Sequence, residues 1–234
     1  MRIYAIVPAR SGSVGLKDKN IKLLAGKPLI AYSINFARRL GVDRVFCSTD
    51  SNTYAQIAKE YGAEVPFLRS ASASISTAME QDILNDLYYN FSQFEIEQPD
   101  VIVWLRPTFV FRDIDSVNKC IEILKSNKNI TSARTVCESE CRLYDIDQNN
   151  MLIPTFDDGE KSMIRRQDIG TRYKVFSTDV FRADEFNTTE DFLGRHVAAV
   201  PINKICGLDI DDEFDFRLVE SLITNCYELV KEYL

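Results

Sequence analysis

An α/β fold is predicted by two observations. Short apolar runs rich in Val, Ile and aromatic residues alternate with helical patterns along most of the chain, and those runs are near-continuously apolar rather than alternating. The second feature points to a sheet covered on both faces, because a strand with one wet face carries polar residues at every other position. The first predicted strand is Ile3 to Pro8, followed by a helical pattern at Ile30, Ile34 and Ala37. A second strand is expected at Arg44 to Ser48, then a helical stripe at Met79, Ile83 and Leu87. The strand Val101 to Leu105 precedes the stripe Val117, Cys120, Ile121 and Leu124. Further strands are read at Thr131 to Val136, Tyr173 to Ser177 and Val197 to Pro201. A final helix repeats Phe214, Leu218, Leu222 and Cys226 and is expected to close the sheet from one side.

From about Glu138 to Gly170 this rhythm breaks into polar sequence with a turn signal at Asp157-Asp158-Gly159. A loop that long is uncommon in a compact domain, so a protruding hairpin or small excursion pairing with another subunit is expected. With 234 residues, one domain spanning 1–234 accounts for the whole chain. A hydrophobic share of 45% and 11% aromatics exclude intrinsic disorder and a disulfide-stapled mini-protein.

The net charge is −7, from 28 basic and 35 acidic residues, which argues against a basic coat for nucleic acid. No run approaches the roughly 20 apolar residues of a membrane span, and the apolar start is too short for a secretory signal. Six dispersed cysteines and a single histidine, His196, make a His-containing zinc site improbable and fit reduced thiols. A cytoplasmic protein, without nucleic-acid or membrane partners, is expected.

The chemistry concentrates after the first strand, in Pro8-Ala9-Arg10-Ser11-Gly12-Ser13-Val14-Gly15-Leu16-Lys17-Asp18-Lys19-Asn20. Two glycines three apart allow tight turns, and small hydroxyl residues leave N–H groups open to phosphate oxygens. Neither G-x-G-x-x-G nor the P-loop spacing is present, so a dinucleotide fold and a P-loop NTPase are unsupported. Residues 10–27 carry five cations, Arg10, Lys17, Lys19, Lys22 and Lys27, against Asp18 alone. In an acidic protein that reversal reads as a phosphate cradle; the alternative is a glycine-rich surface loop with solvated lysines.

A second constellation is Asp209-Ile210-Asp211, followed by Asp212, Glu213 and Asp215. Alternate residues of an extended segment share a side, so Asp209 and Asp211 are placed to share a hard cation such as magnesium. The alternative is that they cap the last helix, a role assigned here to Asp212, Glu213 and Asp215. Asp50 is read either as a helix cap or as a residue near a nucleotide. Trp104 and Tyr88-Tyr89 are expected to pack rather than stack on a ligand. Thr77, Glu80 and Asp82 are read as helix-surface residues.

Together these blocks resemble the acylneuraminate cytidylyltransferases, the CMP-sialic acid synthetases and their bacterial relatives. The resemblance rests on Ile6 to Gly15, Lys19-Asn20-Ile21 and Ala25 to Ile34. It continues through Cys47-Ser48-Thr49-Asp50, Gly62 to Phe67, Leu105-Arg106-Pro107-Thr108, Arg166-Gln167 and Asp209-Ile210-Asp211. The resemblance implies a Rossmann-like nucleotidyltransferase fold, a three-layer α/β/α mixed sheet with a dimerisation excursion at about 138–170. It implies CTP and a 2-keto-3-deoxy sugar acid of sialic, legionaminic or pseudaminic type as substrates, pyrophosphate release, Mg2+ as cofactor and a homodimer.

Carried over residue by residue, Arg10, Lys19, Asp209 and Asp211 would be catalytic. Ala9, Arg10, Ser11, Gly12, Ser13, Gly15, Lys19, Asn20, Arg69 and Ser74 would bind the nucleotide. Arg106, Thr108, Arg166, Gln167 and Lys174 would face the sugar, and Asp209 with Asp211 would hold the metal. Departures from the family pattern gather at the sugar end: Arg106 for a common glutamine, Phe109-Val110-Phe111 for Ser-Pro-Leu, and Lys174, Phe176 and Ser177 where arginine and Asn-Gly are usual. Val14 stands where many relatives have lysine. A synthetase for an eight-carbon keto acid, or another sugar nucleotidyltransferase, is the alternative; a non-catalytic nucleotide-binding homologue is a further one.

Overall fold

Five strands of one mixed sheet point the same way, and this sets where a ligand can bind. In this computed structural model, residues 1–13, 15–157, 159, 163–175, 177–184 and 191–234 are described, with Arg166 as backbone alone. The chain runs β1 (Ile3–Pro8), a hairpin of β2 (Leu23–Leu24) and β3 (Lys27–Pro28), α1 (Leu29–Leu40), β4 (Arg44–Ser48), α2 (Asn52–Glu60), α3 (Glu80–Gln93) and β5 (Val101–Leu105). It continues with α4 (Ile114–Ser126), β6 (Ser132–Ser139), β7 (Tyr144–Ile146), β8 (Leu152–Pro154), α5 (Arg166–Ile169), β9 (Arg172–Lys174), β10 (Thr178–Arg182), β11 (Val197–Ile202) and α6 (Glu213–Asn225).

The sheet order is β11-β6-β10-β5-β1-β4, with β9 also paired to β6. β1 is parallel to β4 and β5, β6 is parallel to β11, and β10 runs antiparallel to both β5 and β6. The carboxyl ends of β1, β4, β5, β6 and β11 therefore share one edge, the edge where α/β sheets bind ligands.

Alternation along each strand divides the core into two layers. Ala5 and Val7 of β1 pack with α1, α2 and α4 on one face, through Ile30, Ile34, Ala58, Val117 and Leu124. Tyr4 and Ile6 pack on the other face with Trp104, Phe181 and the α3 residues Ile83, Leu84, Leu87 and Phe91. Trp104 is thus core, as its strand position predicts. Local signals set the helix ends: Ser51 caps α2, Asp113 caps α4, and Gly41 at φ +72° closes α1 in the left-handed region.

Two expectations are corrected. The predicted strand Tyr173 to Ser177 is instead two strands, β9 and β10, and the larger one, Thr178–Arg182, carries Asp179 as its second residue. A buried aspartate argues against a strand unless it is paired, and two arginines pair it here. The last helix buries Phe216 and Val219, leaving Phe214 74% and Leu218 41% exposed. It packs on Leu16, Leu24, Leu29, Tyr32, Phe111, Cys206 and Ile210, a third cluster beside the sheet rather than on it.

The irregular segment holds the β7–β8 hairpin, a separate two-stranded sheet whose Ile146, Met151 and Leu152 are exposed. No helix among the described residues is long and apolar enough to cross a membrane.

Candidate active site

The glycine-rich loop leaves β1 at the carboxyl edge and is tied down at both ends. Ala9 is buried and donates its N–H to Ser48 O at 2.8 Å. Asp50 accepts from both the N–H and the Oγ of Ser11 at 2.7 Å. These bonds hold the Asp50 carboxyl below its ordinary range against the opposing effect of burial. The α2 cap is Ser51, so Asp50 serves the loop. At the other end Asn20 is buried and donates to Arg10 O at 3.0 Å, while Leu16 sinks into the cluster under α6. Gly12, at φ +66°, makes the turn. Val14 lies outside the described residues.

This loop docks on the aspartate pair. Ile210 is fully buried between Asp209 and Asp211, and its N–H donates to Thr108 O at 3.1 Å. Lys19 Nζ donates to Ile210 O at 2.8 Å and lies 3.8 Å from Asp211 Oδ1. Gly15 approaches so closely that a Cβ there would sit 2.8 Å from Asp211 O, which explains the glycine. Asp211 is 77% exposed and Asp209 half-buried. Burial first, then the Asp211 charge, raise the Asp209 carboxyl above its usual range, while Thr108, Lys174 and Lys19 act in the opposite direction.

Asp212 caps α6, with Asp215 completing a capping box, and Glu213 binds Lys22 Nζ at 2.6 Å. Asp212 and Asp215 thus take the helix-cap role assigned to them, while Glu213 sits in the first turn as an ion-pair partner. Lys22 is turned away by that pairing, and Arg10 and Lys19 are the loop cations that line the cleft.

The cleft has a volume of about 300 Å³ and brings together Arg10, Ser13, Gly15, Lys19, Asn20, Arg69, Arg106 and Thr108. Arg69 is 5% exposed; Nε and an Nη bind Ser48 Oγ at 2.9 Å and Ser48 O at 2.6 Å. Desolvation lowers its guanidinium to about 10. Ser74 ends the exposed turn beside Ala73, and its Oγ donates to Ser70 O at 2.8 Å.

Elsewhere in the cleft Arg106 Nη1 binds the fully buried Asp179 at 2.7 Å, and the same guanidinium holds Glu80. Glu80 is therefore a cleft residue rather than a helix-surface one. Its partner lies 26 positions away, beyond any local pattern. Arg112, wholly buried, braces this segment by donating to Arg106 O at 2.6 Å. Lys174 on β9 stands 5.7 Å over the Phe109 ring, with Nζ 3.4 Å from Gly207 O.

Not all sugar-side candidates converge. Gln167 lines a different depression, with Glu138, Ser139, Cys141, Gly170 and Thr171. The side chain of Arg166, and all of Phe176, lie outside the described residues. His196 is exposed just before β11, where its backbone bonds Thr131, and it does not line the cleft.

A magnesium ion fits the aspartate pair by one observation. Asp209 Oδ1 is buried with no hydrogen-bond partner among the described residues, an orphaned oxygen beside an exposed carboxylate. Two carboxylates suit magnesium, which takes its other ligands from water and phosphate. No cluster of three or more metal-ligating side chains occurs among the described residues, so phosphate oxygens would have to complete the shell.

Comparison with known proteins shows the family. A family model described as cytidylyltransferase matches residues 4–223. The chain is 33% identical to a CMP-N,N'-diacetyllegionaminic acid synthase of Legionella pneumophila, covering 95% of this chain and 97% of that protein. It is 29% identical to an N-acylneuraminate cytidylyltransferase of Escherichia coli over 93% of its length, spanning 51% of that protein. The solved structure of a CMP:2-keto-3-deoxy-manno-octonic acid synthetase complexed with CTP superposes with a TM-score of 0.68 at 13% identity, covering 96% of this chain and 99% of the other. The resemblance read from the sequence thus holds: the chain belongs to the cytidylyltransferase family and is a nucleotidyltransferase.

Proposed function

We propose that this cytidylyltransferase joins the CMP moiety of CTP to the anomeric hydroxyl of a 2-keto-3-deoxy sugar acid of sialic, legionaminic or pseudaminic type. The observation that carries the reading is the docking of the Arg10–Asn20 loop on Asp209–Asp211, through Gly15 and Lys19, at the carboxyl edge of the sheet.

The hydroxyl oxygen attacks the α-phosphorus, the bond to the bridging oxygen breaks, and pyrophosphate leaves with that bond's electrons. Charge builds on phosphate oxygens, so fixed cations and N–H donors supply the stabilisation and no protein nucleophile is needed. Arg10 and Lys19 hold the triphosphate, with Ser13, Gly15 and Asn20 beside them, and Arg69 and Ser74 serve the cytidine side. Thr108 and Lys174 face the sugar. Asp209 and Asp211 would hold magnesium, which supplies Lewis-acid stabilisation and lowers the pKa of the attacking hydroxyl. One of the same two aspartates accepts the hydroxyl proton.

The exposed apolar side chains of the β7–β8 hairpin support a homodimer formed through this excursion. Leu152→Glu should convert the dimer to monomer in light scattering. Six free thiols, five of them buried, support work in the reducing cytoplasm.

The test is pyrophosphate release from CTP and magnesium with N,N'-diacetyllegionaminic acid, N-acetylneuraminate, pseudaminic acid and an eight-carbon keto acid, with ATP, GTP and UTP as controls. Release that requires CTP and one of the first three acids supports the reading. Release with the eight-carbon acid alone replaces it with the related synthetase reaction.

A further inference from the structure

Four charged groups at the sugar end form one network. Asp179 receives Arg106 Nη1 at 2.7 Å and Arg134 Nε at 2.6 Å. The other edge of Arg106 holds Glu80: Nη2 and Nε lie 2.9 and 3.3 Å from Oε1. Among the described residues two arginines and two carboxylates balance in this network, as a desolvated ion cluster requires.

The two carboxylates are not equivalent. Asp179 is sealed in the sheet at 0% exposure, whereas Glu80 retains 28% and lines the cleft at the first residue of α3. The Nε/Nη2 edge of a guanidinium can seat both oxygens of a carboxylate, and Glu80 places a single oxygen against both donors. A preformed carboxylate seat at the sugar end is thus occupied by a side chain that has access to solvent.

We propose that Glu80 stands in for the substrate. The carboxylate of the sugar acid displaces Glu80 from the Nε/Nη2 edge of Arg106, while Asp179 keeps the guanidinium in place. This rests on the sugar-acid reading above and adds to it the group that recognises the acid. The exchange conserves charge, since one carboxylate leaves the seat as another enters. The released Glu80 remains in the first turn of α3, where the helix end favours negative charge.

The consequence for chemistry follows from the substrate class. In the ring form of a 2-keto acid the anomeric carbon bears both the carboxylate and the reacting hydroxyl, so seating one orients the other. Arg106 lies two residues before Thr108, whose backbone O accepts the N–H of Ile210 at 3.1 Å, and this places the seat near the segment that carries the aspartate pair. A neutral sugar has nothing to exchange for Glu80, so the acid is selected by competition as well as by fit.

The test is steady-state kinetics at saturating CTP with whichever of N,N'-diacetyllegionaminic acid, N-acetylneuraminate and pseudaminic acid turns over fastest. Glu80→Gln should lower the KM for the acid about fivefold to tenfold, with the KM for CTP moving less than about twofold. Arg106→Gln should raise the acid's KM at least about tenfold, and in the double variant the Glu80 change should have no effect. Glu80→Ser should move the KM in the same direction as Glu80→Gln, with thermal melts reporting the fold of each variant. An acid KM that is unchanged or raised in both Glu80 variants, with turnover retained, overturns the exchange alone: Glu80 then merely props Arg106. Wild-type protein that binds CTP yet turns over none of the three acids overturns the sugar-acid reading and this proposal together.

Discussion

Gly15→Ala tests whether the glycine-rich loop and the aspartate pair act as one unit. The added Cβ would lie 2.8 Å from Asp211 O, a backbone atom that cannot rotate away. Restoring ordinary contact needs a retreat of about 0.5 Å between two segments that must hold one substrate. Misplacement by about 1 Å can cost about 10²-fold in rate, so the expected loss in kcat/KM is between about tenfold and a hundredfold, or about 1.4 to 2.7 kcal/mol. Gly15 is itself exposed, so no core contact is lost and the melting temperature should stay within about 3 °C. The assay is pyrophosphate release at varied CTP and magnesium, beside a melt of the same preparation. A kcat/KM within about twofold of wild type would falsify the claim that this close approach sets the site geometry.

Asp50→Ala removes both anchors of Ser11 and should raise the Kd for CTP about tenfold in calorimetric titration. Asp211→Ala should lower turnover by at least about two orders of magnitude. Because that side chain is 77% exposed, its melting curve should not move; near-normal turnover would remove Asp211 from the metal site. In native protein an aromatic disulfide reagent should find one rapid thiol, Cys226. Burial pushes the Cys47, Cys120 and Cys206 thiols up to about 12, so they stay protonated at neutral pH and should react only after unfolding. More than one fast thiol in the folded protein would contradict this burial pattern.

Local signals were legible and distant ones were not. The strands Ile3–Pro8, Arg44–Ser48 and Val101–Leu105 match their sequence bounds because each apolar run is fenced by turn-forming or polar residues. β10 escaped because its buried Asp179 is tolerable only with arginines 73 and 45 residues away, a pairing no window contains. The last helix has apolar residues on more than one stripe, and the stripe chosen by its repeat is the wetter one. The same division holds in the cleft. The glycine-rich loop and Asp209-Ile210-Asp211 are compact motifs and could be read directly. The service of Asp50 to Ser11 and of Glu80 to Arg106 depends on folding, as does the placement of Gln167 in a different depression.

β10 has a further consequence. Among the described residues it is the sole bridge in the sheet order between the parallel set β4-β1-β5 and the parallel pair β6-β11. The first set delivers the glycine-rich loop, Asp50 and Arg106, while β6 carries Arg134 and pairs with β9, the strand of Lys174. Changes on β6 can therefore reach the cleft through Arg134, Asp179 and Arg106 while the Ile3–Ser48 register stays untouched. The sugar contacts proposed above straddle this seam, with Arg106 and Thr108 following β5 and Lys174 lying on β9. In a retargeting library, positions on both sides of it are the ones to vary, and Asp179 with its two arginines is the joint to leave alone.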